Sequence, residues 1–117
     1  METQTGGITQ AAADSSYAKK ATVQPASPTA GATVAVVGGS ADTTLWLTPA
    51  GTLATLTINL PSDATSTIGD IVRIGSNKAI TLLTMGGAAS IINGVTALTI
   101  NQIASFKKVA ADTWALI

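Results

Sequence analysis

Leu53-Ala54-Thr55-Leu56-Thr57-Ile58-Asn59-Leu60-Pro61 is the stretch that sets the fold class. Leu56, Ile58 and Leu60 alternate with Thr55, Thr57 and Asn59. An extended chain sends those two sets to opposite faces, one apolar and one able to face water. Pro61 has no N–H for a ladder and stops the strand. On either side, short runs of β-branched and apolar residues repeat between turn residues. Thr33 to Val37 closes on Gly38-Gly39-Ser40, and Thr44 to Thr48 ends at Pro49 and Gly51. Asp70 to Gly75 sets Val72 and Ile74 against Ile71 and Arg73, and Lys78 to Met85 ends at Gly86-Gly87. Further strands are predicted at Ser90 to Ile92, Ala97 to Ile100, Ile103 to Val109 and Thr113 to Ile117.

Turn signals at intervals of about eight to twelve residues, with no long helical period between them, predict an all-β fold. The expected architecture is a small antiparallel β-sandwich or barrel, residues 33–117, preceded by an extended, low-complexity N-terminal arm, residues 1–32. The apolar final run Trp114-Ala115-Leu116-Ile117 is predicted to pair inside a sheet with only its carboxylate wet, since untied termini fray. Leu-Thr-Ile-Asn occurs at Leu56–Asn59 and again at Leu98–Asn101. It is read as coincidence among Thr-, Leu- and Ile-rich strands rather than as a duplicated hairpin.

The arm is Ala, Thr, Ser, Gly and Gln, with Ile8, Tyr17 and Val23 as its few large apolar residues. Alone it buries too little surface to offset its ordering entropy. Thr9 to Ala21 suits a short helix if something packs on it, and Gln24-Pro25-Ala26-Ser27-Pro28 favours extended backbone. Two readings follow: a tail or linker, or an arm of about 100 Å reach that orders on a neighbouring subunit. Met1 to Gly7 has neither positive flank nor apolar run and is not read as a secretory signal. Apolar runs such as Val34-Ala35-Val36-Val37 are too short to cross a bilayer.

Composition narrows the chemistry. The chain of 117 residues has no histidine and no cysteine, its charged residues make up 10%, and its net charge is zero. The usual metal ligands, the neutral-pH general base and the thiol nucleophile are missing. No disulfide framework exists, and no basic excess attracts nucleic acid. So little charge suits a monomer in water poorly and implies burial against other subunits. Aromatics are only Tyr17, Trp46, Phe106 and Trp114, so a core must be built from Ile, Leu and Val.

The carboxylates Glu2, Asp14, Asp42, Asp63, Asp70 and Asp112 stand singly, at strand ends or in the arm, where aspartate favours turns. Paired-acid catalysis has no support. Asp63 with Ser62 and Thr65 is the one weak cluster for calcium, and a turn explains it. Serine and threonine lack a histidine to activate them. Lys19, Lys20, Lys78, Lys107 and Lys108 belong to no catalytic motif, and Gly38-Gly39 and Gly86-Gly87 have turn spacing rather than phosphate-loop spacing. Trp46 and Trp114 sit in apolar runs, which favours core packing over sugar platforms. Of Lys107 and Lys108, alternation sends one outward. No catalytic, cofactor-binding or metal-binding residue is assigned, and the chain is not expected to be an enzyme.

From about Leu45 onward the pattern resembles a small β domain of tailed-bacteriophage virion proteins. The marks are Ala50-Gly51-Thr52-Leu53, a Thr-rich strand closing on Leu60-Pro61, Gly69-Asp70-Ile71-Val72-Arg73-Ile74, Ile80-Thr81-Leu82, Ile92-Asn93-Gly94, Leu98, Phe106 and Asp112-Thr113-Trp114. Such domains occur in head decoration proteins and in head or tail fibres, where the resemblance implies trimeric assembly and no catalytic residues. The expectation is a capsid decoration (cement) protein on the outer head surface of the virion, made in the host cytoplasm. Its partners would be the major capsid protein and two copies of itself, with no nucleic acid and no membrane. The alternative is a fibre or receptor-binding module that reads a host surface glycan, with Trp46 exposed. A depolymerase needs a cleft with paired acids, which the spacing does not offer.

Overall fold

A computed structural model describes residues 21–117. The helix expected over Thr9 to Ala21 lies outside the described residues save for Ala21, as do Glu2, Asp14, Lys19 and Lys20. Nine strands follow one another: β1 (Ala21–Ala26), β2 (Thr33–Ala35), β3 (Asp42–Leu47), β4 (Leu53–Asn59), β5 (Ile71–Ser76), β6 (Ile80–Gly86), β7 (Ser90–Ile92), β8 (Ile103–Ala110) and β9 (Thr113–Leu116). The fold is all-β, with no helix among the described residues.

The arrangement is a solenoid, which corrects the antiparallel sandwich or barrel. From β1 to β6 odd and even strands alternate between two sheets, ordered β1-β3-β5-β8-β9-β7 and β2-β4-β6. β1, β3 and β5 run parallel, and so do β2, β4 and β6. Each circuit of the chain therefore lays one strand on each sheet and stacks it on the circuit before, as in a β-helix. The sequence pattern misleads for a physical reason. Apolar-in, polar-out alternation is the usual mark of an antiparallel sheet with one wet face. A two-sheet coil also leaves one face of each sheet wet, so it carries the same alternation with parallel strands.

Inward columns make the core. Leu45, Ile74 and Ala104 lie in register across β3, β5 and β8, as do Thr43, Val72 and Phe106. On the other sheet Val34, Ile58 and Met85 stack, beside Leu56 on Leu83 and Leu53 on Ile80. These side chains form one apolar cluster with Val36, Leu47, Leu60, Leu98 and Trp114. Inward residues in β4 step from Leu53 to Leu56, and in β6 from Ile80 to Leu83. The matching step of three bends both strands at the same level without breaking their register. The predicted face of Leu56, Ile58 and Leu60 is buried.

The two ends of the coil differ. At the C-terminal end β8 pairs antiparallel with β5 and β9 with β8, through a tight turn at Ala111-Asp112 where Asp112 takes a positive φ of 50°. β9 lies between β8 and β7, so the final run pairs inside a sheet as predicted, with the N–H of Ile117 donating to Ser105, but Leu116 and Ile117 are exposed, so more than the carboxylate is wet. Only Leu98 of the strand predicted at Ala97 to Ile100 makes a bridge, to Ile80. It covers the free edge of β6, together with the Leu83 N–H donated to Thr96. The second Leu-Thr-Ile-Asn thus caps an edge, and the first lies within β4. At the N-terminal end, residues read as the close of the arm form β1, paired along β3. Pro25 sits in this outermost strand, the position in a sheet where a missing N–H is tolerated.

Candidate functional site

The outer face of the six-stranded sheet carries the most distinctive surface. β3 points Asp42, Thr44 and Trp46 outward, because Thr43, Leu45 and Leu47 are buried. β5 likewise points Ile71, Arg73 and Gly75 outward. Parallel register sets Pro25, Trp46 and Gly75 in one row, and the antiparallel pairing of β5 with β8 adds Ile103. Gly75 has no side chain in that row, and the indole fills the space. A Cβ on Gly75 would stand 2.7 Å from Trp46 Cζ3 and 3.0 Å from Cε3, and closer still to Ile103 Cδ1. Trp46 and Ile103 therefore converge over the glycine, and the ring lies across the sheet with one side to solvent.

The two tryptophans part company here. Trp114 is fully buried, as its apolar run predicts, whereas Trp46 is half-buried on the outside. Both sit in alternating runs, and the signal that separates them is the residue opposite. Trp46 faces a glycine across the register, whereas Trp114 lies beside Ile91 and the inward Lys108.

Beside the apolar row lies a polar one. Arg73 donates from Nε to both Asp42 oxygens at 3.2 Å, from Nη2 to Asp42 Oδ2 at 3.1 Å and from Nη1 to Ser105 Oγ at 3.3 Å. The guanidinium thus ties β3, β5 and β8 across their outer face. Asp42 is occupied by this pairing. Among the described residues no group of three His, Cys, Asp or Glu side chains comes together to hold a metal ion.

Asp63 lies elsewhere, at the C-terminal end. Its carboxylate accepts from the Lys108 ammonium and from the Asp112 N–H at 2.8 Å, and Lys108 also donates to Ser66 Oγ at 2.8 Å. These contacts, the ammonium first, hold the Asp63 carboxyl below the usual carboxylate range. Ser62 and Thr65 meet through a backbone hydrogen bond, as in a turn. Of the lysine pair, Lys107 faces solvent and Lys108 is 3% exposed on the inner face. Asp70 accepts from the Thr67 N–H at 2.9 Å, a local loop contact.

An open groove of about 400 Å³ lies beside β6 between Leu82, Met85, Ile91 and Val95. Its lining has no titratable side chain, so it offers no general acid or base. Among the described residues no helix is long and apolar enough to cross a membrane. No protein-family model, no curated protein and no solved structure matches the chain.

Proposed function

We propose that this chain is a non-catalytic virion component, a phage capsid decoration protein that binds the outer head surface and stabilises the shell. One observation carries the reading: Trp46 lies outward over Gly75 beside Ile103 on a sheet face. Ile103 is 49% exposed and Val23 67%, at opposite sides of that face. A sheet face with an aromatic and aliphatic centre and a neutral Asp42–Arg73 rim suits a broad protein surface. Tryptophan and arginine are the side chains that most often dominate such contacts. The phage-domain resemblance supports the capsid as the partner. Binding the assembled shell in preference to its dissociated parts stabilises it by mass action.

The outward ring also favours the second reading, a fibre module that stacks Trp46 on a host glycan. One experiment separates them. Purified protein is added to particles that lack it, and sedimentation measures what binds. The capsid reading expects saturation at a fixed ratio to the shell protein, a raised temperature of particle disruption, and weaker binding by Trp46→Ala. Failure to bind particles, with Trp46-dependent retention on immobilised glycans, sinks it in favour of the fibre module.

A further inference from the structure

The N-terminal end of the solenoid exposes backbone that the rest of the fold takes care to cover. β5 is covered by β8, β8 by β9, and β6 by Thr96 and Leu98. The free edge of β2 is closed by a side chain. Gln24 donates from Nε2 to the Ala35 carbonyl at 2.9 Å and accepts from the Val37 N–H at 2.8 Å. Its amide thus stands in for a peptide group of a missing strand. β7, at the far edge of the large sheet, is only three residues long. That leaves β1.

Which groups β1 exposes follows from its pairing. The Ala26 carbonyl accepts from Thr48, so it faces β3. Within a strand, N–H and C=O directions alternate residue by residue, so Thr22 and Gln24 also face β3. Ala21, Val23 and Pro25 face away. Among the described residues nothing pairs with that outer side. Natural edges are usually blunted with charge or proline; here Pro25 withholds one N–H, and no Asp, Glu, Lys or Arg occurs from Ala21 to Ala41, the whole first circuit. Val23 and Val37, both 67% exposed, lie in it. Terminal coils of solenoids need a polar outer surface to stay apart in water, and this one has no charge with which to do so.

We propose that a second copy of this chain covers the edge, with β1 pairing antiparallel to its own symmetry mate about a two-fold axis. A charge-free edge meets its own kind without repulsion, and the arrangement is isologous. Two registers satisfy every outward N–H of this edge. Centring the pair on Thr22 sets Ala21 opposite Val23 of the other copy, so four hydrogen bonds form and all four outward N–H groups of these residues are used. Centring it on Val23 pairs Val23 with its own copy and Ala21 with Pro25, whose carbonyl still accepts, so four bonds form there as well. The two-fold pair is independent of the capsid reading and differs from the threefold assembly that the phage resemblance implies.

Sedimentation velocity and light scattering on the full chain test it. The expected species is two copies of the 11.6 kDa chain. Val23→Pro removes an N–H that the fold itself does not use, and Val23→Asp places carboxylates on the charge-free edge. Each should weaken association at least tenfold, with circular dichroism and melting temperature of the monomer unchanged. Exchange of the Val23 amide should slow as protein concentration rises. A monomer at all concentrations, whether or not residues 1–20 cover the edge, overturns the proposal. So does a trimer, or a dimer indifferent to both variants.

Discussion

One carboxylate oxygen of Asp63 receives both the buried ammonium of Lys108 and the backbone N–H of Asp112, tying the loop before β5 to the β8–β9 turn. Lys108 is nearly inaccessible while Asp63 is half-exposed, with side-chain exposures of 3% and 53%. The interaction therefore matters chiefly as the partner that a buried cation must have. The Asp63 carboxyl is held below its usual range. A lowered carboxylate contributes stability that is complete above its unfolded value, about pH 3.9, and is lost as pH falls through the lowered folded value. Acid unfolding should steepen in that window, and Asp63→Asn should flatten it, as followed by circular dichroism.

The same pair makes an asymmetric mutational prediction. Asp63→Ala strands the Lys108 ammonium on Ser66 alone and should lower the melting temperature at pH 7. Lys108→Met keeps the length of the side chain without its charge, and the Asp63 carboxylate it leaves is half-exposed to water rather than buried and unpaired. Its melting temperature should equal or exceed that of the parent. A large loss with Lys108→Met would show that the ion pair stabilises the fold in its own right.

Gln24→Ala removes both hydrogen bonds that close the edge of β2, and should lower stability by about 1–2 kcal/mol in urea titration. Gln24→Glu should lower it further, because a carboxylate then faces the Ala35 carbonyl. Hydrogen exchange should quicken first at Val37, whose N–H loses its acceptor in the Ala variant.

Gly75→Ala drives a methyl into Trp46 and Ile103, an overpacking that should lower stability by about 1–3 kcal/mol. Trp46→Ala alone should change stability far less than Trp114→Ala, which empties a fully buried site and should remove about 3–5 kcal/mol. In the Trp46→Ala background Gly75→Ala should become milder. A double-mutant cycle gives that coupling directly, and additive losses would mean that the ring does not rest on the glycine.

Much of this fold is legible in the sequence. The run from Leu53 to Leu60, stopped by Pro61, is a strand with the predicted face buried, and the other predicted strands fall within a few residues of their places, save for Ala97 to Ile100. That segment has the alternation of a strand, but it serves as a cover for β6, and only Leu98 pairs. β1 escapes detection because Pro25 and small residues give it no apolar face. Its strand character comes from β3, which offers a ready edge. The candidate surface is less legible. Trp46 reads as core because its neighbours are leucines, and only the register that brings Gly75 opposite it explains its outward position. Lys108 and Asp63 are 45 residues apart, and no local pattern announces their meeting.

The amino-acid order by itself determined where most strands begin and end and which face of Leu53 to Leu60 turns inward, because alternation and proline or glycine punctuation act over a few neighbouring residues. It also left out imidazole and thiol chemistry, since the chain has no histidine and no cysteine. Tertiary structure alone decided that the strands stack parallel as successive turns of a coil. Parallel and antiparallel partners ask the same period of a strand with one wet face, so the choice rests on which distant columns of side chains fill the interior together.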